Sequence, residues 1–246
     1  MTEAVEGELE VTEVACPCEH GRGPVPGLLT RPDAPRALFV FGHGAGAGIR
    51  HPFMEATAKH LGKLGVSTLR YAFPYMAAGR KAPDPRSVLL ATVRGAVEEA
   101  TRLCPGVPLI AGGKSMGGRM TSLAQAQTPL PGIRGLAFFG FPLHPAGRTS
   151  AERGRHLADI DVPMLFLQGT RDRLANLDLL RPLLADAAPD AELHVVEGAD
   201  HGFHVLKSSG RSDEDALTEA CEVFADWLTP ALGRTEGEPC GAGGGR

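Results

Sequence analysis

The stretch Leu109-Ile110-Ala111-Gly112-Gly113-Lys114-Ser115-Met116-Gly117-Gly118-Arg119-Met120 decides how the rest of the chain is read. It begins as a short apolar run, passes through small residues around one serine, and can continue as a helix. Gly113-Lys114-Ser115-Met116-Gly117 fits G-x-S-x-G, in which a strand turns sharply into a helix and holds a serine hydroxyl above a sheet. Such a turn strains the serine's backbone and packs its flanks against neighbouring chain, so the flanking positions must lack bulk. The N–H of Met116, at the helix N-terminus, would point at any oxyanion formed beside the serine. Two other readings compete. A phosphate loop, G-x-x-x-x-G-K-[ST], would end on the same Gly113-Lys114-Ser115 but needs a glycine where Pro108 stands. A plain glycine-rich connection would carry no chemistry, so the choice turns on whether a base, an acid and a second oxyanion donor stand elsewhere.

Outward from this stretch, strand and helix patterns alternate. Two short strands around Leu9–Ala15 and Val25–Thr30, separated by the turn-rich Cys18–Pro24, read as an antiparallel edge. Ala37-Leu38-Phe39-Val40-Phe41 is apolar throughout, as a strand buried on both faces is. Helices are predicted over Pro52–Leu64, Arg86–Leu103, Met116–Gln127, Leu174–Ala187 and Asp213–Leu228, the first, second and last with an apolar stripe. Strands are predicted at Val66–Tyr71, Pro108–Ala111, Ile133–Phe141, Val162–Gln168 and Ala191–Val196. Phe73 to Pro85 reads as a long loop, and Pro142 to Asp161 as a polar connection too short for a lid domain. The alternation implies an α/β fold: a mostly parallel central sheet with helices on both faces and little or no lid.

In such sheets ligands sit beyond the carboxyl ends of the strands, and the chemically useful residues fall there. His43-Gly44-Ala45-Gly46 follows the third strand; its small residues let the N–H of Ala45 or Gly44 pair with that of Met116 around a carbonyl oxygen. His43 itself reads as a brace for that loop. Asp172 follows Val162–Gln168 and can hold an imidazole in one tautomer; the rival reading is a cap for a helix starting near Leu174. His201 follows the last strand beside Gly202, where a base could lean over the elbow. His204 is the fallback base, and Asp200 a rival acid set back by its adjacency to His201. The order Ser115, Asp172, His201 is the Ser…Asp…His order of α/β-hydrolases.

Four stretches carry a family resemblance: Phe41-Gly42-His43-Gly44-Ala45-Gly46, Gly112 to Arg119, Gly140-Phe141-Pro142-Leu143-His144-Pro145, and Leu167-Gln168-Gly169-Thr170-Arg171-Asp172. The chain resembles an α/β-hydrolase-like family that groups small bacterial hydrolases with an animal testis-expressed protein and a scaffold subunit of the NSL histone-acetyltransferase complex. The resemblance runs from about Leu28 to Trp227 and implies an α/β-hydrolase fold with Ser115, Asp172 and His201 as triad. Wider dienelactone-hydrolase relatives place a cysteine at the elbow, where this chain has Ser115. His144 and Arg119 belong to the family pattern without a role that the residues reveal. Arg119, Arg70 or Lys114 could attract an acidic substrate, or serve as solvated surface charge.

The 246 residues suit one domain, read as 1–232, with the glycine-rich 233–246 expected as a disordered tail. A formal net charge of −4 leaves no basic footprint for nucleic acid. No apolar run approaches the roughly 18 residues of a membrane span. The acidic Met1–Glu10 lacks the positive-then-apolar order of a signal peptide, so the expected address is cytoplasmic. Five scattered cysteines form no disulfide framework. Cys16-Pro17-Cys18, even with His20 nearby, lacks the second Cys or His pair of a zinc site, and reduced thiols are expected there. The expected activity is a serine hydrolase acting on a small acyl ester, thioester or amide, as monomer or homodimer and without metal or organic cofactor. The rival reading is a non-catalytic interaction scaffold on the same fold.

Overall fold

Alternation of side chains about the pleat accounts for both cores of the molecule. In strand β3 (Ala37–Gly42) every residue is buried, because Ala37, Phe39 and Phe41 face one helical layer while Leu38 and Val40 face the other. The structure is a computed structural model and describes residues 9–18 and 23–233. Its sheet has eight strands: β1 (Glu10–Cys16), β2 (Val25–Arg31), β3, β4 (Val66–Tyr71), β5 (Leu109–Lys114), β6 (Ile133–Phe139), β7 (Met164–Gly169) and β8 (Glu192–Val196). Their order is β1-β2-β4-β3-β5-β6-β7-β8. β1 and β2 form the antiparallel margin, with β2 antiparallel to β4; every pairing from β4 to β8 is parallel.

Helices α1 (Pro52–Lys63) and α6 (Asp213–Gly233) cover one face. There Phe39, Phe41, Phe139 and Phe224 pack together with centroids 4.8–6.2 Å apart, and each ring fully withdrawn from water contributes about 2–3 kcal/mol. On the other face α3 (Arg86–Leu103), α4 (Met116–Gln127) and α5 (Leu177–Ala187) close over Leu38, Val40, Ala111 and Phe166. The connection β3–α1–β4 runs to one side of β3 and the path to β5 crosses to the other. The loops after β3 and β5 therefore diverge, leaving a crevice at the carboxyl edge.

Several boundaries differ from the sequence reading. The Phe73–Pro85 loop contains a short helix, α2 (Pro74–Ala77). The connection after β6 holds a 3-10 helix at Glu152–Asp159 whose Leu157 is buried in the core, so this segment is packed down rather than standing as a lid. α5 starts at Leu177, later than expected, because the Asn176 side chain accepts the Asp178 N–H at 2.8 Å and fixes the helix start there. The last helix runs past Leu228 to Gly233, where the tail was expected to begin, and 234–246 lie outside the described residues. Among the described residues no helix is long and apolar enough to cross a membrane.

Candidate active site

Steric necessity puts Ser115 where it is. A Cβ on Gly113 would lie 2.4 Å from the Gly42 carbonyl oxygen, and one on Gly117 only 2.2 Å from the same atom. Only glycines let β5 and the start of α4 press this closely against the end of β3. Between them Ser115 adopts φ 51°, ψ −115°, a region that costs a residue with a side chain about 1–3 kcal/mol. Its N–H donates to the Phe139 carbonyl at 3.2 Å, and its carbonyl accepts from the Arg119 N–H at 3.0 Å. Met116 opens α4, so its N–H has no acceptor within the helix.

Two residues distant in sequence complete a hydrogen-bonded line. His201 Nε2 stands 2.8 Å from Ser115 Oγ, and His201 Nδ1 stands 2.7 Å from Asp172 Oδ2. A carboxylate only accepts, so Nδ1 carries the ring proton and Nε2 of the neutral imidazole is free to accept from the hydroxyl. Asp172 also answers the alternative reading in part: its Oδ1 accepts the Leu174 N–H at 2.7 Å, a turn bond, although α5 begins three residues later. The Asp172 side chain is fully buried, and Gln168 supplies the further donor such a carboxylate needs: its Nε2 donates to Asp172 Oδ2 and its Oε1 accepts the Phe141 N–H at 2.9 Å. Sequence reasoning assigned Gln168 no role; the available signal was one polar residue in the otherwise apolar Met164–Gly169.

The remaining candidates sort by their partners. His43 is buried, accepts the Phe73 N–H on Nε2 at 3.1 Å and donates from Nδ1 to the Gly44 carbonyl at 2.8 Å. Burial holds its pKa below the usual histidine range, so it is the brace that the sequence suggested. Gly44 and Ala45 follow it and line the same cavity as Ser115; a Cβ on Gly44 would meet Ser115 Cβ at 3.7 Å. His144 plays a similar part across the crevice. Its Nε2 accepts the Asn176 N–H at 3.0 Å, and its backbone N–H donates to the Leu174 carbonyl at 2.9 Å, tying the Pro142–Pro145 turn to the loop that carries Asp172.

His204 is exposed and bonded to Asp213, while Asp200 Oδ1 accepts the N–H groups of Gly202 and His204, closing its own loop. Neither joins Ser115. Lys114 is not solvated surface charge. It is buried between the rings of Phe53 and Phe203, 5.3 and 5.4 Å from Nζ, and donates to the His201 carbonyl. Burial pulls its pKa down to about 8, against the opposing pull of Asp172 and Asp200. Arg70 is buried on β4, bound to Ile49 and Thr30, and does not line the cavity. Cys16 and Cys18 are buried free thiols, and burial pushes Cys16 up to about 12; His20 lies outside the described residues. Among the described residues no group of three or more His, Cys, Asp or Glu is placed to hold a metal.

Ser115 and His201 open onto a cavity of about 630 Å³, within the range of small-molecule sites. Its walls are largely apolar, from Phe53, Ala56, Leu174, Phe203 and Leu217.

Comparison with known proteins bears on the fold that carries this site. Residues 35–229 match the family model described as "Alpha/beta hydrolase domain". A non-heme chloroperoxidase of Kitasatospora aureofaciens is 28% identical over 199 residues, covering 73% of this chain and 65% of that protein. The chain thus spans about 65% of the length of this curated relative. Among solved structures, the dienelactone hydrolase of Anabaena variabilis superposes with a TM-score of 0.68 at 19% identity, covering 90% of this chain and 98% of that one. A Xanthomonas campestris protein described as an α/β serine hydrolase without lid gives 0.65 at 19% identity, with 87% and 95% covered. These structural likenesses are of fold. With four-fifths of its length matched by one family model and the sheet order to go with it, the chain belongs to the α/β-hydrolase family of enzymes.

Proposed function

We propose that the protein is a serine hydrolase that cleaves a small acyl ester, thioester or amide through an acyl-enzyme. The observation that carries this reading is the unbroken line Asp172–His201–Ser115, with both links under 3 Å and the serine held on a strained turn. His201 Nε2 takes the proton of Ser115 as its oxygen attacks the acyl carbonyl, and Asp172 stabilises the imidazolium that results. The oxyanion rests on the N–H of Met116 and on that of Ala45 or Gly44, each such donor lowering the barrier by about 3–4 kcal/mol. His201 then protonates the leaving group, and water resolves the acyl-enzyme by the same steps. Apolar walls around Ser115 favour an uncharged acyl portion, and the cavity has room for more than an acetyl group.

A fluorophosphonate probe tests the nucleophile: it should label the native protein and fail on Ser115→Ala. Absence of labelling in the native protein would instead favour a non-catalytic interaction scaffold on the same fold. A panel of p-nitrophenyl esters set against aminoacyl amides then separates esterase from peptidase.

A further inference from the structure

Along β5 the pleat sends Leu109 and Ala111 to one helical layer and Ile110 to the other. Lys114 falls on the side of Ile110, among side chains packed under α1 and α6. An apolar residue belongs at that place. The ammonium there lies 5.3 and 5.4 Å from the ring centroids of Phe53 and Phe203, and burying it sacrifices hydration that rings and a carbonyl restore only in part. A residue that costs stability where methionine would cost none breaks local consistency, and such breaks concentrate at functional sites. Of the three basic residues that the sequence offered as a lure for an acidic substrate, Arg70 and Arg119 do not line the cavity and Lys114 does.

What Lys114 holds is the backbone of the proposed base. Its Nζ donates to the carbonyl of His201, 87 positions along the chain, and the ring of that same residue reaches Ser115. Gly140, just beyond β6, leaves room for both side chains: a Cβ there would lie 2.9 Å from Lys114 Nζ and 3.4 Å from the His201 ring. Past His201 the chain is driven inward. Phe203 takes φ 67°, a left-handed conformation that a bulky residue adopts only under constraint, and its ring packs 5.5 Å from Phe53 and 6.1 Å from Phe139. Glycines aside, Ser115 and Phe203 alone have positive φ among the described residues. The Lys114–His201 contact joins these two strained loops, since Lys114 precedes Ser115 and Phe203 lies two residues beyond His201. The Asp200 carboxylate shapes the second loop from within, accepting the Gly202 and His204 N–H groups; Lys114 ties it to β5.

We propose that Lys114 is a positioning residue for the reaction at Ser115: it fixes the base over the nucleophile by fastening the His201 carbonyl, rather than by binding substrate. This role rests on the hydrolase reading. A bond from an ammonium is about twice as strong as one between neutral groups, and a misplacement of about 1 Å in such a site costs about a hundredfold in rate.

Lys114→Met removes the donor and keeps the length. With p-nitrophenyl acetate its kcat should fall about a hundredfold while KM stays within about threefold of native. At neutral pH its urea midpoint should equal or exceed that of the native protein, because an apolar side chain replaces a buried charge. A residue that only supported the fold would lower the midpoint along with kcat. Hydrogen exchange at the Phe203 and His204 amides should quicken about tenfold or more, with β5 unchanged. Lys114→Leu serves, with the same expectations, should the methionine variant misfold. A kcat within about threefold of native, or a rise in KM that accounts for the lost kcat/KM, overturns the positioning role. The fluorophosphonate probe separates the two readings. Native protein that takes up no probe removes the hydrolase reading and this role with it. Native labelling matched in rate by Lys114→Met removes the role alone.

Discussion

Two loops at the carboxyl edge of the sheet each present a histidine, and they use it oppositely. His43, after β3, and His201, after β8, hold the same tautomer, with the proton on Nδ1 and Nε2 accepting. The partner on Nε2 separates them. For His43 it is the Phe73 amide N–H, which keeps its proton at any ordinary pH; for His201 it is the Ser115 hydroxyl, which can surrender one when its oxygen bonds to carbon. Their surroundings differ to match: His43 is fully buried, whereas a quarter of the His201 side chain reaches solvent beside the cavity. Residue type therefore does not distinguish a brace from the proposed base here. What it hydrogen-bonds to does.

The largest effect should come from His201. His201→Ala should lower kcat on an ester such as p-nitrophenyl acetate on the order of a million-fold, and Asp172→Asn about ten-thousand-fold by unfixing the tautomer. Activity within tenfold of native in His201→Ala would erase the contrast. His43→Ala should act on the fold instead, leaving the Phe73 N–H buried without a partner, while the Gly44 carbonyl keeps only the Ala47 N–H. Urea unfolding should register a loss of about 1–3 kcal/mol, with turnover far less affected than in His201→Ala. A collapse of kcat at native stability would make His43 part of the chemistry.

Lys114 sharpens the comparison from behind the His201 loop. Below about pH 8 its ammonium is charged in both folded and unfolded chains, and its burial cost is borne in full. Between 8 and 10.5 the folded chain has released the proton while the unfolded chain keeps it, so this residue's contribution to stability rises with pH. Unfolding free energies of native protein minus Lys114→Met should climb by about 3 kcal/mol across that window; a flat difference would mean that the ammonium is not buried as described. The smallest effect belongs to His204, exposed and paired with Asp213. His204→Gln should change kcat by less than about threefold, since surface substitutions seldom move stability by more than 0.5 kcal/mol, and a large loss would shift the base away from His201.

Legible in the chain were the features set by neighbours a few residues apart. Gly113 and Gly117 announce a turn that admits no side chain, and runs such as Ala37–Phe41 announce strands covered on both faces, since each follows from local sterics and the period of the pleat. The order of Ser115, Asp172 and His201 after β5, β7 and β8 followed from the same alternation. Tertiary structure alone decided which partners met across the 86 positions from Ser115 to His201. It chose His201 over His204, turned Asp172 toward the imidazole while still closing its own turn, recruited Gln168, and buried Lys114 between two rings. It also gave His144 a task, holding the Asn176 N–H. Those outcomes depend on distances between separate elements, which a sequence period specifies along each element but not across the sheet.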